Sequence, residues 1–544
     1  MKKLIYTMVV VAIATACNTT TSTSTKKDST RKAIHVEQVS PRDQSITTAN
    51  AYNNLFIDSS TVANYITANN IPLEEVNDIL SFYNARNYQY AWFNNNGITE
   101  EGRNFWNAYT YEKEEGKDTG YSKKLMIMMD TLLPSMDTIS ITAGNKAFSK
   151  AEIAITRKFL EYYYNNANDN GADKTALLQL LPTKKMDVFA TADLLLDDKQ
   201  KALDDNVQRQ YNALKKQLSN YVKLAKNQPA DSIVVTGKLK KGTNAPVITV
   251  IKRRLQEMGY LPAIDTSSVF TDTLETAVRS YQLSLGTKDD GIISASLVKQ
   301  LSIPLKRRVA QLVVNMNRLA WMPGNFSDNY IQVNIPEFML HVYEGKSKVF
   351  DMPVVVGREG TSTMMFAGDM NQVVFSPYWN VPESIVKKEI VPGMAKNANY
   401  IENHHMEITG TRNDLPVVRQ LPGEDNSLGK VKFLFPNSYD IYLHDTNAKY
   451  LFDKEKRAFS HGCIRLADAE KMANYVLRND SSWTPEKITE AMNSDTEKFV
   501  RIKNPLPVLI SYLTAWVDEN GKLNFREDIY GHDEAAAAKL FTGL

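Results

Sequence analysis

The sequence predicts a multidomain α+β protein: a helical domain and a three-helix module, then a mostly antiparallel β domain carrying a long insertion. Three observations predict it. The chain has 544 residues, too many for one hydrophobic core. Apolar residues recur at three- and four-residue spacing from about Ala51 to Leu319, and at spacing two from Tyr330 onward. The β pattern then breaks off at Ser384 and resumes only at Lys432-Phe433-Leu434-Phe435. Hydrophobic content of 43% and charged content of 23% are those of a globular chain. With 64 basic and 62 acidic residues the net charge is +2, which gives no reason to invoke nucleic acid.

Residues 1–17 read as an export segment. Lys2 and Lys3 precede a mostly apolar run, Leu4 to Ile13, too short to span a bilayer as a stable helix, and Ala14-Thr15-Ala16 follow. The A-x-A triplet could be cut by an ordinary signal peptidase. Alternatively Cys17 is the lipid-modified first residue of a lipoprotein. The segment resembles a lipobox, with Ala14 where Leu is usual. The lipoprotein reading is preferred because the cut falls directly before one of only two cysteines. A diacylated Cys17 would be a firm membrane anchor.

Residues 18–50, rich in Thr, Ser, Lys, Gln and Asn without apolar period, read as a flexible tether. Residues 51–235 read as a helical domain, with apolar stretches at Val62–Ile66, Ile79–Tyr83, Leu125–Leu133, Ile153–Tyr164, Ala176–Leu181 and Leu194–Val222, and a polar turn at Asn165–Gly171. The aromatic run from Phe82 to Phe93 reads as core. In residues 242–303, Val247, Ile251, Leu255 and Met258 mark a helix stopped by Gly259. A second helix carries Thr276-Ala277-Val278, and Ser294 caps a third running through Leu301. Residues 304–329 hold a linking helix, Leu305 to Leu319, ended by Trp321. Residues 330–530 form the β domain. Its insertion, 384–423, reads as irregular, with helical and loop character, and of the length that often covers an active site. His404-His405 within it lack a third ligand of suitable spacing, so neither a metal nor another cofactor is expected.

The chemistry concentrates between Ile441 and Leu466. If Cys17 is lipidated, Cys463 has no disulfide partner, and an unpaired thiol in an exported protein points to reactivity. A thiol nucleophile needs a base and oxyanion donors. With Ile441-Tyr442-Leu443-His444 as a strand, alternation puts Tyr442 and His444 on one face. The polar loop from Asp445 to Phe459 can fold back and bring Ser460-His461-Gly462-Cys463 beside His444. Gly462 permits a tight turn. Arg465, two residues past the thiol, would share its face and could bind a carboxylate.

This stretch resembles the L,D-transpeptidases, cysteine enzymes that cross-link bacterial peptidoglycan: a His, about fifteen residues, then Ser/Thr-His-Gly-Cys and a polar residue two further on. Here these are His444, Ser460-His461-Gly462-Cys463 and Arg465. Arg in the last place, where many members have Asn, is similar to the large multidomain periplasmic subfamily. The likeness extends through "YIQVNIPEFMLHVYEGKSKVFDMPVVVGR", "VVFSPYWNVPESIVKKEIVP" and "YLTAWVDENGKLNFREDIYG", and the stretch around Tyr83–Trp92 looks like that subfamily's scaffold domain. "IKRRLQEMGYL", "VFTDTLETAVRSYQ" and "DGIISASLVKQL" resemble a three-helix peptidoglycan-binding module. The resemblance implies Cys463 as nucleophile and His444 as general base, its ring oriented by a neighbouring backbone carbonyl, that of Asp445. It implies oxyanion amides from His461, Gly462 and Cys463, with Ser460 and His461 shaping the loop; His461 is the competing base. Arg465, Asp445, Tyr378 and Trp379 are candidates for substrate contact. The implied reaction is 3-3 cross-linking of stem peptides, with 384–423 as a lid, in the periplasm. An L,D-carboxypeptidase and a non-catalytic wall-binding scaffold are the competing readings.

Overall fold

Helical spacing in the first half and alternation in the second produce two kinds of layer, and one helix joins them. The computed structural model describes residues 39–112, 120–132, 140–170, 181–197, 205–227, 233–235, 237–262, 265–322, 328–345 and 347–544. The export segment, Cys17 and most of the tether lie outside these residues. So do Gly171 and most of Ala176–Leu181.

The first helical core is built on helices Ser59–Ala68, Leu73–Ala85, Glu100–Glu112, Gly120–Leu132 and Lys146–Asn170. Asp58 caps the first of these by accepting a hydrogen bond from the Ser60 amide at 2.7 Å. The aromatic run is interior: Phe82, Tyr83, Tyr90, Trp92 and Phe93 are all buried. Their polar edges are satisfied inside the core. Tyr83 Oη and Trp92 Nε1 both meet Thr156 Oγ1, at 3.0 and 2.8 Å. The Glu152 carboxylate accepts from the amides of Ala91 and Trp92 at 2.6 and 3.0 Å, while burial pushes its pKa up to about 7. The helix Lys146–Asn170 runs straight through the turn expected at Asn165.

The helical half divides where the sequence showed no boundary. Helices Val188–Asp197 and Asp205–Lys226 leave the aromatic core and share a second one with the module, the linking helix and the segment after the β domain. The module follows its capping residues: helices Val247–Glu257, Asp272–Ser284 and Ala295–Leu301, with Gly259 at φ +83° and Ser294 accepting from the Leu297 amide. Its buried Lys252 is fully paired, to Asp265 Oδ2 at 2.5 Å, Ser267 O at 3.0 Å and Ser267 Oγ at 2.9 Å. The linking helix is Leu305–Ala320, capped by Trp321.

The β domain is a nine-stranded sheet. Its order is Ala458–Ser460, Ser347–Gly357, Ile464–Leu466, Leu443–His444, Val431–Leu434, Phe366–Phe375, Lys498–Ser511, Asn329–Asn334, Met339–Glu344. It curls until Met339–Glu344 also pairs with Ser347–Gly357. Three pairings are parallel: Leu443–His444 with Ile464–Leu466, Ala458–Ser460 with Ser347–Gly357, and Lys498–Ser511 with Asn329–Asn334. The rest are antiparallel. Helices Ala469–Leu477 and Pro485–Met492 cover the core with Met472, Val476 and Ile488.

The insertion has the expected helical character, in Val391–Lys396 and Tyr400–Asn403, but it is more regular than expected: with a sheet of Trp379–Asn380, Leu415–Gln420 and Met406–Arg412 these helices enclose a core of Val381, Ile385, Val386, Ile390 and Val418. A forty-residue loop with this many apolar residues has enough to bury a small core of its own. Within the range 330–530 the chain leaves the β core once: the hairpin Ala515–Val517 and Leu523–Phe525 packs in the second helical core, and Ile529 and Tyr530 return to the β core. Beyond it, Phe541–Thr542 pairs in parallel with Met186–Asp187.

Arg318 on the linking helix holds the parts together. Its guanidinium is nearly fully buried, meets Glu100 Oε1 of the first helical core at 2.6 Å, and also binds Asp533 Oδ1 beyond the hairpin. Removing one partner strands two buried charges. Arg318→Ala therefore lowers unfolding free energy by about 3–5 kcal/mol in urea denaturation, and Arg318→Lys recovers only part, because an ammonium cannot span both carboxylates as the planar fork does.

Candidate active site

The site is built on two adjacent strands. Leu443 pairs with Ile464 and His444 with Arg465 in the parallel ladder. Leu443, Ile464 and Leu466 are buried in the sheet core. Alternation places Tyr442, His444, Cys463 and Arg465 on the opposite face. The structure thus brings together the thiol, the imidazole and the guanidinium.

His444 is buried, and its Nδ1 lies 2.5 Å from the carbonyl oxygen of Asp445. A carbonyl can only accept, so Nδ1 carries the proton and Nε2 is left as the basic nitrogen. Burial, reinforced by the Arg465 guanidinium, pulls the His444 pKa down to about 3. Burial pushes the Cys463 thiol up, opposed by hydrogen bonds from the backbone and phenol of Tyr442. Both groups are held toward their neutral forms, and at rest the thiol donates to the Asp440 carbonyl at 3.6 Å, so proton transfer to the imidazole belongs to the attack itself. Tyr442, which sequence reasoning left unassigned, hydrogen-bonds the Cys463 thiol. Its ring centroid lies 5.8 Å from that of His444. Its placement on the His444 face was the available signal.

The turn that carries the thiol is tightly bonded. Gly462 has φ +118°, a conformation side chains rarely adopt. Its amide donates to Ser460 Oγ at 3.1 Å, and Ser460 Oγ donates to the Cys463 carbonyl at 2.5 Å. The Gly462 carbonyl accepts from Thr363 Oγ1 at 2.7 Å. The Gly462 amide, expected among the oxyanion donors, is thus occupied within the turn. The amides of His461 and Cys463 make no hydrogen bond among the described residues.

Other candidates fall elsewhere. His461 Nε2 lies 3.2 Å from Arg358 Nη2 and 3.7 Å from Glu389 Oε1 on the insertion, so its ring faces the lid. The Asp445 carboxylate is turned into the structure, accepting from the Lys430 amide at 2.9 Å and from Lys449 Nζ at 2.7 Å, against Gly429. These bonds give the carboxylate a supporting role in the loop. Tyr378 lies under Arg419, 4.1 Å from guanidinium carbon to ring centroid, and Trp379 packs on the lid core. Both belong to the base of the lid. Arg465 makes no ion pair among the described residues, and its Nε is buried without a hydrogen-bond partner. His404 and His405 contact Tyr400 O and Asp425, at 2.7 and 3.2 Å, and do not converge.

A thiol and an oriented neutral imidazole on one face of a curled sheet, beside an unpartnered guanidinium and under an inserted lid, define a site suited to acyl transfer from a carboxylate-bearing substrate. The sequence comparisons match the segments of this chain to three domain models. Residues 328–496 match the model described as "L,D-transpeptidase catalytic domain", 77–218 that of the "Scaffold domain", and 244–301 that of the "Putative peptidoglycan binding domain". A protein of Haemophilus influenzae, described as "Putative L,D-transpeptidase", is 32% identical over 239 residues, covering 41% of this chain and 48% of the relative. The chain thus spans about half the length of that relative. The chain carries, in separate segments, matches to an L,D-transpeptidase catalytic domain, a scaffold domain and a peptidoglycan-binding domain. Among solved structures, L,D-transpeptidase 3 of Mycobacterium tuberculosis is 15% identical over 34% of this chain and 61% of its own, with a TM-score of 0.18. An L,D-transpeptidase of Stackebrandtia nassauensis is 13% identical over 52% and 97%, with a TM-score of 0.22. So distant a likeness says nothing of the site.

The neutral resting pair makes a pH prediction. Alkylation of Cys463 by iodoacetamide should climb about tenfold per pH unit through pH 9, following ionisation of a thiol whose pKa is raised. It should show no inflection near 6.5, since His444 stays unprotonated down to about 3. A rate already level between pH 6 and 7 would mean a thiolate–imidazolium pair and contradict this reading.

Proposed function

We propose that the chain is a peptidoglycan L,D-transpeptidase that forms 3-3 cross-links through a thioester on Cys463. The observation that carries the proposal is the shared face of the thiol, the Nδ1-protonated His444 and the unpartnered Arg465.

His444 Nε2 takes the thiol proton as sulfur attacks the carbonyl of the L-to-D bond at residue three of a tetrapeptide stem. The bond to terminal D-alanine breaks, and the departing amine takes the proton from the imidazolium. The side-chain amine of a diamino acid on a second stem then attacks the thioester, giving its proton to His444 and restoring the thiol. Splitting acyl transfer this way replaces one high barrier with two lower ones. Arg465 offers buried donors to a stem carboxylate beside the scissile bond. The lid, touching the nucleophile turn through Glu389 and His461, limits access of water to the thioester. The peptidoglycan-binding domain supplies affinity for the polymer, and the protein works in the periplasm, held to a membrane by lipid on Cys17.

Incubation of purified protein with disaccharide-tetrapeptides tests the reaction. Dimers with loss of D-alanine are expected. Free tripeptides alone would mean an L,D-carboxypeptidase, and no change would leave a wall-binding scaffold. Cys463→Ser should abolish dimers and also the mass adduct that a carbapenem leaves on the wild type. Arg465→Met should raise KM for tetrapeptide about tenfold or more, as expected when one charge-assisted contact is lost. Cys17→Ser should move the protein from the membrane fraction to the soluble one.

A further inference from the structure

The turn before Cys463 is held from outside by a residue about a hundred positions upstream. Thr363 is buried, in the loop after the strand Ser347–Gly357. Its Oγ1 accepts from the Gly357 amide at 2.9 Å and donates to the Gly462 carbonyl at 2.7 Å. The first bond fixes the rotor of the hydroxyl, because with a donor on its lone pair the proton must point to Gly462. The loop is itself clamped. Tyr530 Oη donates to the Gly357 carbonyl at 2.5 Å and accepts from the Thr363 amide at 3.3 Å. Gly357 has no room for a side chain: a Cβ there would lie 2.1 Å from Thr361 O and 2.7 Å from Thr363 N.

A trans peptide is planar, and its C=O and N–H point in opposite directions. Whatever grips the Gly462 carbonyl therefore also aims the Cys463 amide. Thr363 grips that carbonyl, Ser460 removes the Gly462 amide from use, and the Cys463 amide has no acceptor among the described residues. We infer that Thr363 is a positioning residue, which sets the Gly462–Cys463 peptide plane so that the Cys463 N–H points at the oxyanion formed on acylation. Tyr530 holds Thr363 in place.

The inference rests on the thioester reading above, and its test separates the two. Two reactions of the same sulfur are compared in the full chain. Acylation by the carbapenem meropenem passes through an oxyanion: sulfur adds to the lactam carbonyl, the lactam C–N bond breaks, and the ring nitrogen takes the proton by way of His444. Alkylation by iodoacetamide displaces iodide at a saturated carbon and forms no oxyanion. Intact mass follows both. Thr363→Val should slow acylation roughly ten- to hundredfold, at or below the loss seen when an oxyanion donor is removed outright. Alkylation should stay within about twofold of wild type, and Thr363→Ser should restore acylation. Tyr530→Phe, which keeps the ring and its packing, should show the same split at smaller size. If Thr363→Val acylates at the wild-type rate, or if both reactions fall together, the inference is overturned and Thr363 is only structural. A wild type that alkylates but is never acylated overturns the thioester reading, and the inference with it.

Discussion

The parallel ladder between Leu443–His444 and Ile464–Leu466 is the constraint on which the site depends. Side chains alternate along a strand, so the faces of the pair are not independent. Leu443, Ile464 and Leu466 are buried against Met472, Val476 and the neighbouring strands, and their burial fixes the register. With that register, His444 must stand beside Arg465 and on the face of Cys463. A slip of one residue would bury the imidazole among leucines and turn the core residues to solvent. The hydrophobic core thus sets the catalytic geometry through a ladder only two to three residues long. The parallel direction matters as well. It requires a long crossover, here residues Asp445 to Cys463, which include the edge strand Ala458–Ser460.

The electrostatics of the site follow from that burial. An imidazole sunk in the sheet and next to a guanidinium resists protonation, and a thiol in the same face resists ionisation. Both groups stay neutral until a carbonyl arrives to share the charge. Arg465 is then left with no partner of opposite sign among the described residues, whereas Arg318, Arg308 and Lys252 are each paired or stacked. In the reaction proposed above, that guanidinium is the group a stem carboxylate would meet.

Much of this was legible in the chain. Alternation over Ile441 to His444 chose His444 over His461, and capping residues such as Ser294 and Gly259 placed the module's helices within a residue or two. The aromatic run around Trp92 read correctly as core. What was not legible depends on contacts distant in sequence. Thr363 sits in a loop with no periodicity, and its bond to Gly462 spans 99 positions. The amide of Gly462 looked available because the serine that takes it also looked like a loop-shaping residue, which it is. The lid's own core was missed because short helices and a hairpin with exposed strands give weak patterns. The division at Val188 was missed because a helix's apolar stripe shows that it packs, not what it packs on.

The pairing of Phe541–Thr542 with Met186–Asp187 bears on how the protein comes to exist. A chain made from its amino end presents helices Val188–Asp197, Asp205–Lys226 and Leu305–Ala320 long before the segment that completes their core. Until the hairpin Ala515–Val517 and Leu523–Phe525 arrives, Arg308 has no Phe525 to lie on, Arg318 has no Asp533, and the strand Met186–Asp187 has an open edge. Such high contact order makes assembly slow and leaves apolar surface uncovered in the interval. The nucleophile turn is among the last parts to settle, because Tyr530 belongs to the same late segment. A chain truncated there would carry every motif residue of the site while lacking the clamp on the loop that steadies it.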